Sequence, residues 1–70
     1  NETVKTARMA EVAIVYGNRY RVTNKEVDFN LIKAENNFLK GNFKSSLENA
    51  INAINIVEPG IYKRLLEEYK

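Results

Sequence analysis

Apolar residues along this chain recur at three- and four-residue steps, not at every second position. That spacing predicts helices. The clearest stripe is Val27, Leu31, Ala34 and Phe38. A second runs through Phe43, Leu47, Ala50, Ile51, Ile54 and Val57. Before them, a first helix is predicted from about Glu2 to Tyr20, with Met9, Ala13, Tyr16 and Tyr20 on its core stripe. Ala10, Ala13 and Gly17 form a strip of small residues beside it. Glu11, Val15, Asn18 and Arg19 form a third stripe, turned away from the core. Val12, Ile14 and Val15 spread apolar surface around most of the helix, which predicts a further neighbour, either another segment or a second copy of the chain. No stretch alternates cleanly enough to predict a strand.

Helix boundaries have their own signals. Thr23 and Glu26 have the spacing of a capping box, and Val22 and Val27 that of a hydrophobic staple, so the second helix is expected to start there. Gly41 supplies a left-handed stop, with Lys40 in the last turn. Asn42 is placed to cap the third helix, which Pro59 and Gly60 break. Pro59 also suits the first turn of a short fourth helix carrying Ile61, Leu65 and Tyr69. The connections are short, so neighbouring helices should pack antiparallel, with Leu31, Ala34 and Phe38 meeting Phe43, Leu47, Ala50 and Ile54. The fold class is therefore all-α: three longer helices, a hairpin of the second and third, and a short C-terminal helix.

Seventy residues allow one domain, and cores below about 70–80 residues are usually marginal without staples. The chain has neither cysteine nor histidine, which argues against disulfides, zinc and iron–sulfur sites. No cofactor is implied. Eleven basic residues against nine acidic ones leave a net charge of +2, a weak argument for nucleic acid. Arg19, Tyr20 and Arg21 could stack on and neutralise a nucleic acid, but arginines also suit a helix C-terminus. No apolar run approaches the roughly 20 residues of a membrane span. Ser45 and Ser46 have no histidine to activate them, and Glu67 and Glu68 read as a solvated face, so no enzyme is predicted. Gly17 stands alone as a glycine inside a helix. Close packing on the Ala10–Ala13–Gly17 strip, or close approach of a partner, would account for it.

The run Tyr16-Gly17-Asn18-Arg19-Tyr20-Arg21 resembles a signature near the C-terminus of septation ring formation regulators, the EzrA family. Ala34-Glu35 with Phe38, then Gly41-Asn42-Phe43, then Val57-Glu58-Pro59-Gly60 with Tyr62-Lys63-Arg64 resemble that family in order and spacing. The resemblance implies a fragment of a spectrin-like helical rod from a protein held to the membrane by an N-terminal anchor. It implies the cytoplasmic side of the membrane at the division septum, and a non-enzymatic role in modulating the ring of the tubulin-like protein FtsZ. FtsZ and other division or wall-synthesis proteins are the implied partners. A patch of glutamine, asparagine and arginine in that family is associated with recruitment to the division site. Its asparagine and arginine correspond to Asn18 and Arg19, and its glutamine position is Val15 here. With Arg21, these make the candidate partner-binding set. Against this, Arg19 could simply pair with Glu11, Glu26 or helix-end carbonyls, and Asn18 could simply help end the first helix. A second reading comes from Gly41-Asn42-Phe43 with Ser46, Ala50, Ala53 and Pro59, which is close to the second half of a tetratricopeptide repeat. That spacing fits a single helical hairpin packed in the same way, or a true repeat that would bind peptides in a groove.

Overall fold

A computed structural model of the chain describes residues 2–60 together with 63 and 64. Three α-helices run up, down and up: α1 (Glu2–Gly17), α2 (Lys25–Leu39) and α3 (Phe43–Val57). The winding of α1 tightens after Gly17 into a 3₁₀ turn, Asn18–Tyr20, so the expected first helix ends in a narrower coil. Contacts establish the directions. Phe38 meets Phe43 edge-on with ring centroids 5.1 Å apart, and Ser46 Oγ donates to the Ala34 carbonyl at 2.6 Å, as an antiparallel hairpin requires. The expected stripes of α2 and α3 face each other across it.

The start of α2 differs from the expected capping box. Asn24, not Thr23, occupies the cap, in an extended backbone conformation at φ −138°. Its side-chain oxygen accepts from the N–H groups of Glu26 (3.0 Å) and Val27 (3.2 Å). Asparagine outranks threonine at this position. Thr23 instead donates its hydroxyl to the Tyr20 carbonyl at 3.3 Å. The one-residue shift also removes the staple, and Val22 is 94% exposed.

At the other end of α2 the stop is as expected. Gly41 sits at φ +84°, its N–H bonded to Phe38 O (3.0 Å) and that of Asn42 to Asn37 O (2.8 Å). This pair of bonds is a Schellman motif, and its left-handed residue favours glycine. Asn42 stands at the N-cap of α3 but makes no side-chain capping bond. Engaged as the last residue of the Schellman motif, it has ψ 68°, short of the extended geometry a capping side chain uses. Beyond Gly60, Lys63 N–H closes a turn on the Gly60 carbonyl at 3.2 Å. Ile61, Leu65 and Tyr69 of the expected fourth helix, with Glu67 and Glu68, lie outside the described residues.

The buried cluster is built largely from small side chains. Ala10, Ala13, Ala34, Ala50 and Ala53 are fully covered, and Leu31, Ile54 and Val27 are the largest apolar side chains among them. Complete burial of such a side chain is worth about 1.5–3 kcal/mol. The small-residue strip of α1 lies against this cluster. A Cβ on Gly17 would stand 2.9 Å from Leu31 Cδ1 and 3.4 Å from Ile54 Cγ1. Close helix packing therefore accounts for the glycine. Ser46, also fully buried, satisfies its hydroxyl on α2, so the small residues that resembled a repeat pack the hairpin.

Candidate functional site

Aromatic and charged residues converge at the end of α1. Tyr16 and Tyr20 stand one turn apart, with ring centroids at 6.2 Å and planes tilted by 55°. Their rings pack on the buried cluster, and both hydroxyls donate to Glu58, one to each carboxylate oxygen. A tyrosine pressed on a core has an apolar body and a hydroxyl that still needs a partner. Glu58 caps the C-terminus of α3, so this fork ties the ends of two helices. The hydrogen bonds from Tyr16 and Tyr20 hold the Glu58 carboxyl below the usual carboxylate range, aided by the charges of Arg64 and Arg19. The bond to Glu58, with burial, pushes Tyr20 up to about 12.

Of the predicted binding residues, Val15, Asn18 and Arg19 are exposed, with Val15 at 64%. The guanidinium of Arg19 lies over the Tyr16 ring, 4.4 Å from its centroid. A cation–π contact engages the charge of the group without spending an N–H donor, and Arg19 remains exposed. Among the described residues Arg19 forms no ion pair, so the alternative of pairing with Glu11 or Glu26 is not realised. The 3₁₀ winding advances about 20° more per residue than an α-helix, which carries Arg19 toward Tyr16 and away from Val15.

Arg21 behaves differently. Its Nε donates to Asp28 Oδ1 at 2.7 Å, and its Nη1 to Glu35 Oε1 and Asn18 Oδ1, each at 3.1 Å. The Asp28 bond leads in raising its pKa above the ordinary arginine value. Arg21 thus clamps the α1–α2 turn onto α2. It also engages the amide oxygen of Asn18, leaving the donor end of that amide outermost on an exposed residue.

Beside Val15, α1 and α2 part enough to leave a hollow of about 240 Å³. Ile14, Val15, Phe38 and Leu39 form its apolar walls, and Glu11 and Glu35 are its charged lining. Leu39, 84% exposed, was not among the predicted residues. Its signal was an apolar residue one place off the Val27–Phe38 stripe. Glu58 was also missed as a partner of the tyrosines, because nothing local links residues so far apart in sequence. Among the described residues no group of three or more potential ligands could hold a metal ion, and no helix is long and apolar enough to cross a membrane.

Fold and site together define a small antiparallel helical protein that displays an apolar side chain, an amide and a stacked guanidinium at the end of α1. Comparison with known proteins gives the family. The family described as septation ring formation regulator, EzrA, matches residues 1–69. A septation ring formation regulator EzrA of Listeria welshimeri is 39% identical over 70 residues, covering 99% of this chain and 12% of the relative. One from Staphylococcus aureus strain Newman is 41% identical over 68 residues, covering 97% of this chain and 12% of its own length. The chain belongs to the EzrA family of septation ring formation regulators, and it spans about one eighth of the length of these relatives. No solved structure matches it.

Proposed function

We propose that this chain is a non-enzymatic interaction segment of a membrane-anchored division regulator, part of a spectrin-like helical rod that modulates FtsZ ring assembly. In this reading Val15, Asn18 and Arg19 form the surface through which the whole protein is recruited to the division site. The observation that carries it is the exposure of all three residues while neighbouring Arg21 is held by the fold. Arg19 is pre-oriented on Tyr16. Its fork suits a carboxylate on a partner, and an arginine contact of this kind can be worth about 2 kcal/mol of binding. FtsZ and the wall-synthesis proteins are the partners that family membership favours. Membrane attachment belongs to a segment outside these 70 residues.

The test is the Asn18→Ala, Arg19→Ala double variant in the full-length protein. It should keep its helical content and melt within about 1 kcal/mol of wild type, as surface changes usually do. It should lose enrichment at the division site. Normal localisation of a folded variant would rule out the recruitment surface.

A further inference from the structure

The hollow between α1 and α2 has a chemistry of its own. At about 240 Å³ it is smaller than the pockets of roughly 300–1,000 Å³ that enclose small molecules. It is large enough to seat apolar side chains from another segment. Its walls include two exposed apolar residues, Val15 at 64% and Leu39 at 84%. Water therefore touches apolar surface that a docked helix would cover, in the manner of amphipathic helices that lie in grooves. The charges beside it are unbalanced. Glu11 forms no ion pair among the described residues, and the single guanidinium of Arg21 faces both Asp28 and Glu35. The two charged residues that line the hollow, Glu11 and Glu35, are both acidic.

We infer that the Val15–Leu39 groove docks an amphipathic helical segment of another protein, one that places an apolar side chain between α1 and α2 and lysine or arginine against Glu11 and Glu35. This rests on the reading of the α1 end as a binding surface, and it assigns that surface a second contact chemistry beside the Arg19 fork. The apolar anchor supplies burial, and the cations supply orientation and selectivity. An acidic segment would meet Glu11 and Glu35 as like charges.

The experiment titrates the 70-residue chain with three short synthetic peptides while its backbone amide resonances are followed. One peptide carries leucines at helical spacing with lysines beside them, one replaces the lysines with glutamates, and one replaces the leucines with serines. The leucine–lysine peptide should shift Glu11, Ile14, Val15, Glu35 and Leu39 saturably, and its affinity should fall as salt is raised. The other two should bind at least about tenfold more weakly, one by charge and the other by lost burial. Leu39→Ser and Val15→Ser should each weaken binding with helical content unchanged. Equal binding of the glutamate peptide, shifts centred elsewhere, or no saturation at millimolar peptide would each overturn the proposal. So would a dimer in sedimentation that Leu39→Ser dissociates, since the occupant would then be a second copy. The Asn18→Ala, Arg19→Ala variant should bind the leucine–lysine peptide as wild type does, because neither residue lines the groove. Loss of recruitment and loss of groove binding can therefore fail independently.

Discussion

Leu31 and Leu39 stand about two turns apart on α2 with opposite fates. Leu31 is fully buried beneath Gly17, and Leu39 is 84% exposed. Leu31→Ala should cost about 2–5 kcal/mol, the range of core truncations that leave a cavity. That is a large part of the roughly 5–15 kcal/mol that stabilises a typical domain. Leu39→Ser should stay within about 0.5 kcal/mol. Urea denaturation of the two variants checks the contrast, and similar losses for both would contradict the burial described here. The pattern of apolar residues made Leu31 legible as core, since it lies on a stripe with Val27 and Ala34. Leu39 was harder to read, because a helix leaves its off-stripe residues either solvated or covered by something outside the chain.

At the level of the helices, periodicity located all three, and the ends were less legible. Hydrophobic spacing senses a whole face, whereas a cap depends on the backbone angles of one residue. Thr23 and Asn24 are both good capping residues, and only the path of the turn decides between them. Asn24→Ala should therefore cost about 1 kcal/mol through loss of its bonds to the Glu26 and Val27 N–H groups. Thr23→Ala should cost less, because its hydroxyl bonds only the Tyr20 carbonyl, at 3.3 Å. Thermal melts of the two variants decide, and a greater loss for Thr23→Ala would restore the threonine cap. The joint between α1 and α3 was not legible at all. Tyr16, Tyr20 and Glu58 meet only when the chain has folded back twice.

For the molecule as a whole, that joint predicts a dependence on pH. Glu58 has its carboxyl pKa lowered from 4.5 in the folded state, so its contribution is present above that value and is lost as pH falls below it. Tyr20 has its pKa raised from 10.0 to about 12, so its contribution is present below 10 and is lost as pH rises toward 12. The Tyr16→Phe, Tyr20→Phe variant lacks both hydroxyls. Its deficit in melting temperature relative to wild type should be largest between these limits and should shrink at both extremes. No deficit at any pH would mean that the tyrosines act through their rings alone. The described residues measure 35 × 26 × 14 Å, a flat layer in which α1 leans on α3 more than on α2. Periodicity named the faces of each helix but not this sharing, which depends on how closely small residues let two backbones approach.

The central place of α3 also matters to the growing polypeptide. It is the last of the three described helices to be synthesised, yet both earlier ones depend on it for cover. At about 5–20 residues per second, its 15 residues take on the order of one to three seconds to add. Until α3 has emerged and joined them, Leu31 and Ala34 have only the thin strip of α1 to shelter them. A chain that ends at the glycine turn would leave them open to solvent once released, and α3 supplied as a separate peptide should close over them.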